Sequence, residues 1–168
     1  SKRSTPARGE LWLGPQRLDQ LPPEKRNVGI VFQEAALFLH MSLIENLTIG
    51  LKIRNFSKSE QKKLGQEWLD RLELGGRLFA QIHELSGGER FRAALGRALI
   101  WQPAAILIDE GMSALDDRLK KKVFSLVMEE VRSRNVPLVI VSHEIQKEWA
   151  DSLQMQTHAL RSTRRTSA

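Results

Sequence analysis

Ala104-Ala105-Ile106-Leu107-Ile108-Asp109-Glu110 is an apolar run that ends in two acids. A second run, Val136 to Val141, ends at Ser142-His143. Between them, Asp116 to Arg134 carries Leu119, Val123, Leu126, Val127 and Val131 on one stripe, the spacing of an amphipathic helix. Strand, helix, strand in this order is a βαβ unit. Both strands are continuous apolar runs of the kind that parallel sheets bury. In such sheets the functional groups lie beyond the carboxyl ends of the strands. Asp109, Glu110 and His143 stand there, and Gln33 joins them if the run Val28-Gly29-Ile30-Val31-Phe32 belongs to the same sheet.

Upstream, Gly9-Glu10-Leu11-Trp12-Leu13 reads as a short strand before the turn signal Gly14-Pro15. Residues 35–80 read as mostly helical. Leu43, Leu47 and Leu51 recur at every fourth position, and Ser57 with Glu60 is a helix start with a capping box. Leu64, Trp68, Leu69 and Leu72 continue the stripe until Gly75-Gly76. Ser86-Gly87-Gly88-Glu89 opens another helix, which runs to about Trp101 before Pro103.

The chain has 168 residues and a formal net charge of +6. That length suits one domain. The charge lies at the ends: residues 34–159 hold seventeen bases and seventeen acids. No basic face is expected on the core, and no nucleic-acid partner. The absence of Cys excludes disulfides, thiolate zinc sites and iron–sulfur clusters. No apolar run approaches the ~18 residues of a membrane helix.

The chemistry gathers in a few places. Charge is opposed at a buried strand end, so an acidic pair there points to use. One carboxylate of Asp109-Glu110 can hold Mg²⁺ and the other can polarise a water, the Walker B arrangement of nucleotide hydrolases. In Leu85-Ser86-Gly87-Gly88-Glu89, Ser86 and Glu89 can form a capping box. The two glycines also let backbone N–H groups approach an anion at a helix N-terminus. His143 could contact a terminal phosphate. Ser113-Ala114-Leu115-Asp116 read alone is an N-cap for the next helix.

Together and in order, these residues resemble the ATP-binding subunit of a bacterial importer-type ABC transporter. The likeness runs through the Q-loop Val31-Phe32-Gln33, the signature Leu85 to Glu89, the Walker B strand ending Asp109-Glu110, the D-loop Ser113 to Asp116 and the H-loop His143. It covers roughly residues 9–155. It implies an α/β, P-loop NTPase-like core of parallel sheet and flanking helices. A helical subdomain would span 34–100 and a remnant of an antiparallel β-subdomain 9–33, with core motifs at 101–155 and a tail at 156–168.

The resemblance also implies roles. Gln33 would contact Mg²⁺ or the water and sense the membrane partner. Ser86, Gly87, Gly88 and Glu89 would face the ATP held by an opposite subunit, and Asp116 would link the two sites. Asp109 would hold Mg²⁺, Glu110 would be the general base and His143 would touch the γ-phosphate. Leu37-Phe38-Leu39-His40-Met41 would either line the groove for a permease helix or pack inside the helical subdomain. Partners would be a permease and a second ATPase subunit, at the inner face of the bacterial plasma membrane.

The departures are specific. No Gly-x-x-x-x-Gly-Lys-Ser/Thr occurs, so the resemblance implies a chain truncated ahead of Gly9, inactive alone, with a gap or open edge in its sheet. Gly111 stands where the family usually has Pro, and Glu89 and Phe91 replace glutamines. Two other readings stay open: a soluble ABC-type ATPase of DNA repair or chromosome organisation, and a non-catalytic remnant that binds a partner.

Overall fold

A computed structural model describes residues 9–110 and 112–141 of the chain. His143, Gly111 and the tail lie outside the described residues.

The chain opens with a hairpin. β1 (Trp12–Leu13) pairs antiparallel with β2 (Gln16–Arg17). Gly14 turns it with φ of 55°, a left-handed conformation that glycine adopts without a Cβ clash. Asp19 braces the hairpin by accepting from the Leu11 N–H at 3.0 Å and from the Arg17 guanidinium.

Three strands form the parallel sheet, in the order β3 (Val28–Val31), β4 (Ala105–Asp109), β5 (Leu138–Val141). Val31 pairs with Ile108 and Asp109 with Val141, so the carboxyl ends align. The strand before Gln33 therefore joins the sheet of the acidic pair. It stops one residue earlier than the apolar run implies: Phe32 is outside it and 49% exposed. Its carbonyl instead accepts from the Ala35 N–H at 2.9 Å, closing a turn.

Four helices follow the apolar stripes. α1 (Leu43–Ile53) buries Leu43, Leu47 and Leu51 completely. Its start is a capping box of Ser42 and Glu45. α2 (Lys58–Arg71) starts with the expected Ser57–Glu60 box but ends before Gly75, with Leu72 as its C-cap. α3 (Gly87–Leu99) and α4 (Asp117–Arg134) complete the set. The expected helical stretch from residue 35 is thus broken: 35–42 are turns and loop, and left-handed Ala35 and Ala36 rule out a helix through them.

One hydrophobic cluster joins α1, α2, α3 and α4 to the sheet face carrying Val31, Ile106 and Ile108. Gly29 lets α3 close on β3, since a Cβ there would stand 2.6 Å from the Ala98 carbonyl oxygen. The opposite sheet face is open at Ile30, Val139 and Val141.

Candidate functional site

The N-terminus of α3 is built by its own sequence. Ser86, with extended backbone, is the N-cap. The Glu89 N–H donates to Ser86 Oγ at 3.2 Å, and the Ser86 N–H donates to Glu89 Oε2 at 2.8 Å. Arg77 adds an ion pair to Glu89, Nε to Oε1 at 3.2 Å. The Ser86 backbone donor and Arg77 hold the Glu89 carboxyl down at about 2. Glu89 is therefore engaged in capping, which leaves the backbone of Gly87 and Gly88 as the part of this terminus suited to an anion.

Gly88 has a second reason to lack a side chain. A 3-10 turn over Met112–Ala114 packs on the start of α3. A Cβ on Gly88 would meet Leu115 Cδ2 at 3.1 Å and the Ala114 carbonyl at 3.2 Å. Gly87 is different: a Cβ there would only touch Ala114 Cβ at 3.7 Å, an ordinary contact. The fold thus brings the signature and D-loop segments side by side. Asp116 caps α4 by accepting from the Leu119 N–H at 2.9 Å, the local reading of its segment.

Arg92 anchors this terminus from behind. It is buried, and its Nη1 donates to the carbonyls of Leu72 at 2.6 Å and Glu73 at 3.2 Å. Burial lowers the Arg92 pKa. Glu73 in turn pairs with Lys122 and Arg118 of α4, which hold its carboxyl below the ordinary range. The Lys122 hydrogen bond is the largest cause of that shift.

The acidic pair ends β4. Asp109 is exposed and Glu110 half-buried. The desolvation expected at a buried strand end therefore does not burden Asp109, because the strand emerges from the sheet there. Glu110 is left-handed, with φ of 53°, and its N–H donates to the Val141 carbonyl at 2.8 Å. A non-glycine residue in that conformation carries roughly 1 kcal/mol of strain. Among the described residues no three His, Asp or Glu side chains cluster as a metal cage. The donor set fits a cation of the Mg²⁺ type, which takes one or two carboxylates and fills its sphere with phosphate and water.

Gln33 sits exposed in the turn after β3. The following segment is held by hydrogen bonds from α1 and α3. Asn46, fully buried on α1, accepts from the Phe38 N–H at 2.8 Å and donates to the carbonyls of Phe38, Met41 and Ser42. Arg97 of α3 donates to the Ala36 carbonyl at 2.8 Å and the Ala35 carbonyl at 3.1 Å. Phe38 and Leu39 remain 44% and 73% exposed, while Leu37 packs against the core. Asn46, Arg92 and Arg97 escaped the sequence reading. The available signal was a polar residue set into an otherwise apolar helix face, such as Asn46 beside Leu43 and Leu47.

The profile of the family described as ABC transporter matches residues 1–113. The chain is 39% identical over 136 residues to the maltose/maltodextrin import ATP-binding protein MalK of Vibrio cholerae, covering 81% of this chain and 36% of that protein. It is 41% identical over 144 residues to the ABC transporter ATP-binding protein YnjD of Escherichia coli, covering 86% and 66%. To the sn-glycerol-3-phosphate import ATP-binding protein UgpC of Salmonella paratyphi A it is 44% identical over 112 residues, 67% and 32% of the two chains. The chain therefore spans about a third of the length of the maltodextrin-import relatives it matches. Among solved structures, the ATP-binding cassette MJ0796, a dimer in a post-hydrolysis state bound to ADP and Pi, superposes with a TM-score of 0.76. It is 28% identical, with 84% of this chain and 66% of that one covered. On the strength of the profile match and these relatives, the chain belongs to the ABC transporter family.

Proposed function

We propose that these residues belong to the ATP-binding and ATP-hydrolysing subunit of a bacterial ABC importer, working as a head-to-tail dimer on a membrane permease. The observation that carries this is the alignment of strand ends: Asp109 closes β4, β3 ends two residues before Gln33, and Glu110 is tied to β5 through Val141. Those groups lie on the edge where parallel sheets place their chemistry. The strain at Glu110 accords with a functional role.

Asp109 is the residue to hold Mg²⁺ through its exposed carboxylate. When bound, Mg²⁺ would neutralise charge on the phosphate oxygens. Glu110 takes the proton of the attacking water as general base. Gln33 orients water or metal from the neighbouring turn, and His143, outside the described residues, meets the γ-phosphate. Ser86, Gly87 and Gly88 offer their N–H groups to ATP on the opposite subunit. Glu89 holds the cap that points them, and Asp116 joins the two sites across the dimer.

The partner surface follows the segment after Gln33. Exposed Phe38 and Leu39 on a loop fixed by Asn46 support docking of a permease helix rather than packing inside the subdomain. The import names of the maltodextrin and glycerol-phosphate relatives favour an importer over a DNA-repair ATPase. Among the described residues no helix is long and apolar enough to cross a membrane.

The test is MgATP binding and phosphate release. The 168 residues hold no Gly-x-x-x-x-Gly-Lys-Ser/Thr, so they are expected to release no phosphate alone. Turnover is expected once sequence carrying such a loop precedes Gly9. Turnover by the 168 residues alone would contradict this assignment of the phosphate site.

A further inference from the structure

Arg97 joins two segments that the proposed function keeps apart. It lies in the last turn of α3, about 15 Å along the helix from Gly87. Its guanidinium is half-buried and, among the described residues, forms no ion pair with a carboxylate. It donates instead to two consecutive carbonyls, Ala36 at 2.8 Å and Ala35 at 3.1 Å. Its carbon also stands 5.4 Å from the centre of the Phe38 ring. Both alanines are left-handed, with φ of 59° and 44°, a conformation that costs an alanine free energy. The charge-assisted bonds from Arg97 oppose that cost.

We propose that Arg97 is a positioning residue that fastens the segment Ala35 to Met41 to α3, so that a displacement of Phe38 and Leu39 by the membrane partner is delivered to Gly87 and Gly88 at the other end of the same helix. This rests on the ATPase-and-permease reading above. A lysine at 97 could reach one carbonyl but not fork to both, and a leucine could reach neither. Asn46 fixes the far end of the segment to α1, and Arg97 provides the direct hydrogen bonds from this segment to the signature helix among the described residues.

The experiment compares Arg97→Leu and Arg97→Lys with the unsubstituted chain by amide hydrogen exchange. Expected in Arg97→Leu is exchange about tenfold faster at the Ala35, Ala36 and Phe38 amides, with α2 unchanged. Arg97→Lys should lie between. Unchanged exchange at 35–38, or an equal rise through α2, would overturn the clamp. Should Arg97→Leu not fold, Arg97→Lys decides the same amides. A second reading uses the chain extended by a phosphate-binding loop, together with its membrane partner. The ratio of partner-stimulated to unstimulated turnover should fall about tenfold in Arg97→Leu and recover in part in Arg97→Lys. A released clamp with an unchanged ratio would overturn the transmission. No turnover in the unsubstituted extended chain would instead sink the ATPase reading, while exchange still decides the clamp.

Discussion

Gly88 and Leu115 lie so close that a Cβ on the glycine would stand 3.1 Å from the leucine Cδ2. The neighbouring Gly87 has only an ordinary 3.7 Å contact in the same direction. The two glycines of the signature are therefore separable. Gly88→Ala crowds a backbone carbonyl as well as Leu115, and should destabilise by about 1 kcal/mol in urea unfolding. Gly87→Ala should be neutral or stabilising by up to ~1 kcal/mol through helix propensity. If, in the chain extended by a phosphate-binding loop, Gly87→Ala keeps stability but loses ATP turnover, the loss lies in ligand approach and not in the fold.

Asn46 satisfies one N–H and three carbonyls from a fully buried position. Asn46→Ala leaves the Phe38 N–H without its partner. The expected cost is about 2 kcal/mol, read as a lower urea midpoint. Protease sensitivity should rise at residues 37–42. A variant as stable as the parent would mean that the loop holds itself.

Glu89 gives a pH signature. Its folded carboxyl titrates at about 2 against an ordinary 4.5. A depressed acid contributes stability that is fully present above the ordinary value and is lost as pH falls toward the folded one. Stability should therefore drop from about pH 4.5 downward in the parent, and Glu89→Gln should flatten that part of the profile. An unchanged slope in the variant would remove the cap and the Arg77 pair as its origin.

Regular elements were legible because their signals are local. The spacing of Leu43, Leu47 and Leu51 marks α1, and the apolar runs before Asp109 and through Val141 mark two strands of a parallel sheet. The Ser86–Glu89 box was readable for the same reason. The break at 35–42 was not. Alanine favours helix, and what holds Ala35 and Ala36 left-handed is Arg97, some sixty residues away. The turn that crowds Gly88 is likewise a tertiary contact. The exposure of Asp109 could not be read from its apolar approach, because it depends on where the strand leaves the sheet.

Glu110 is proposed as the base of an ATP site at the end of β4. The test is phosphate release and ATP retention in Glu110→Gln, set in the chain extended by a phosphate-binding loop. Expected is a fall in turnover of about 100-fold or more, with ATP still bound and the dimer persisting. Undiminished turnover would contradict it.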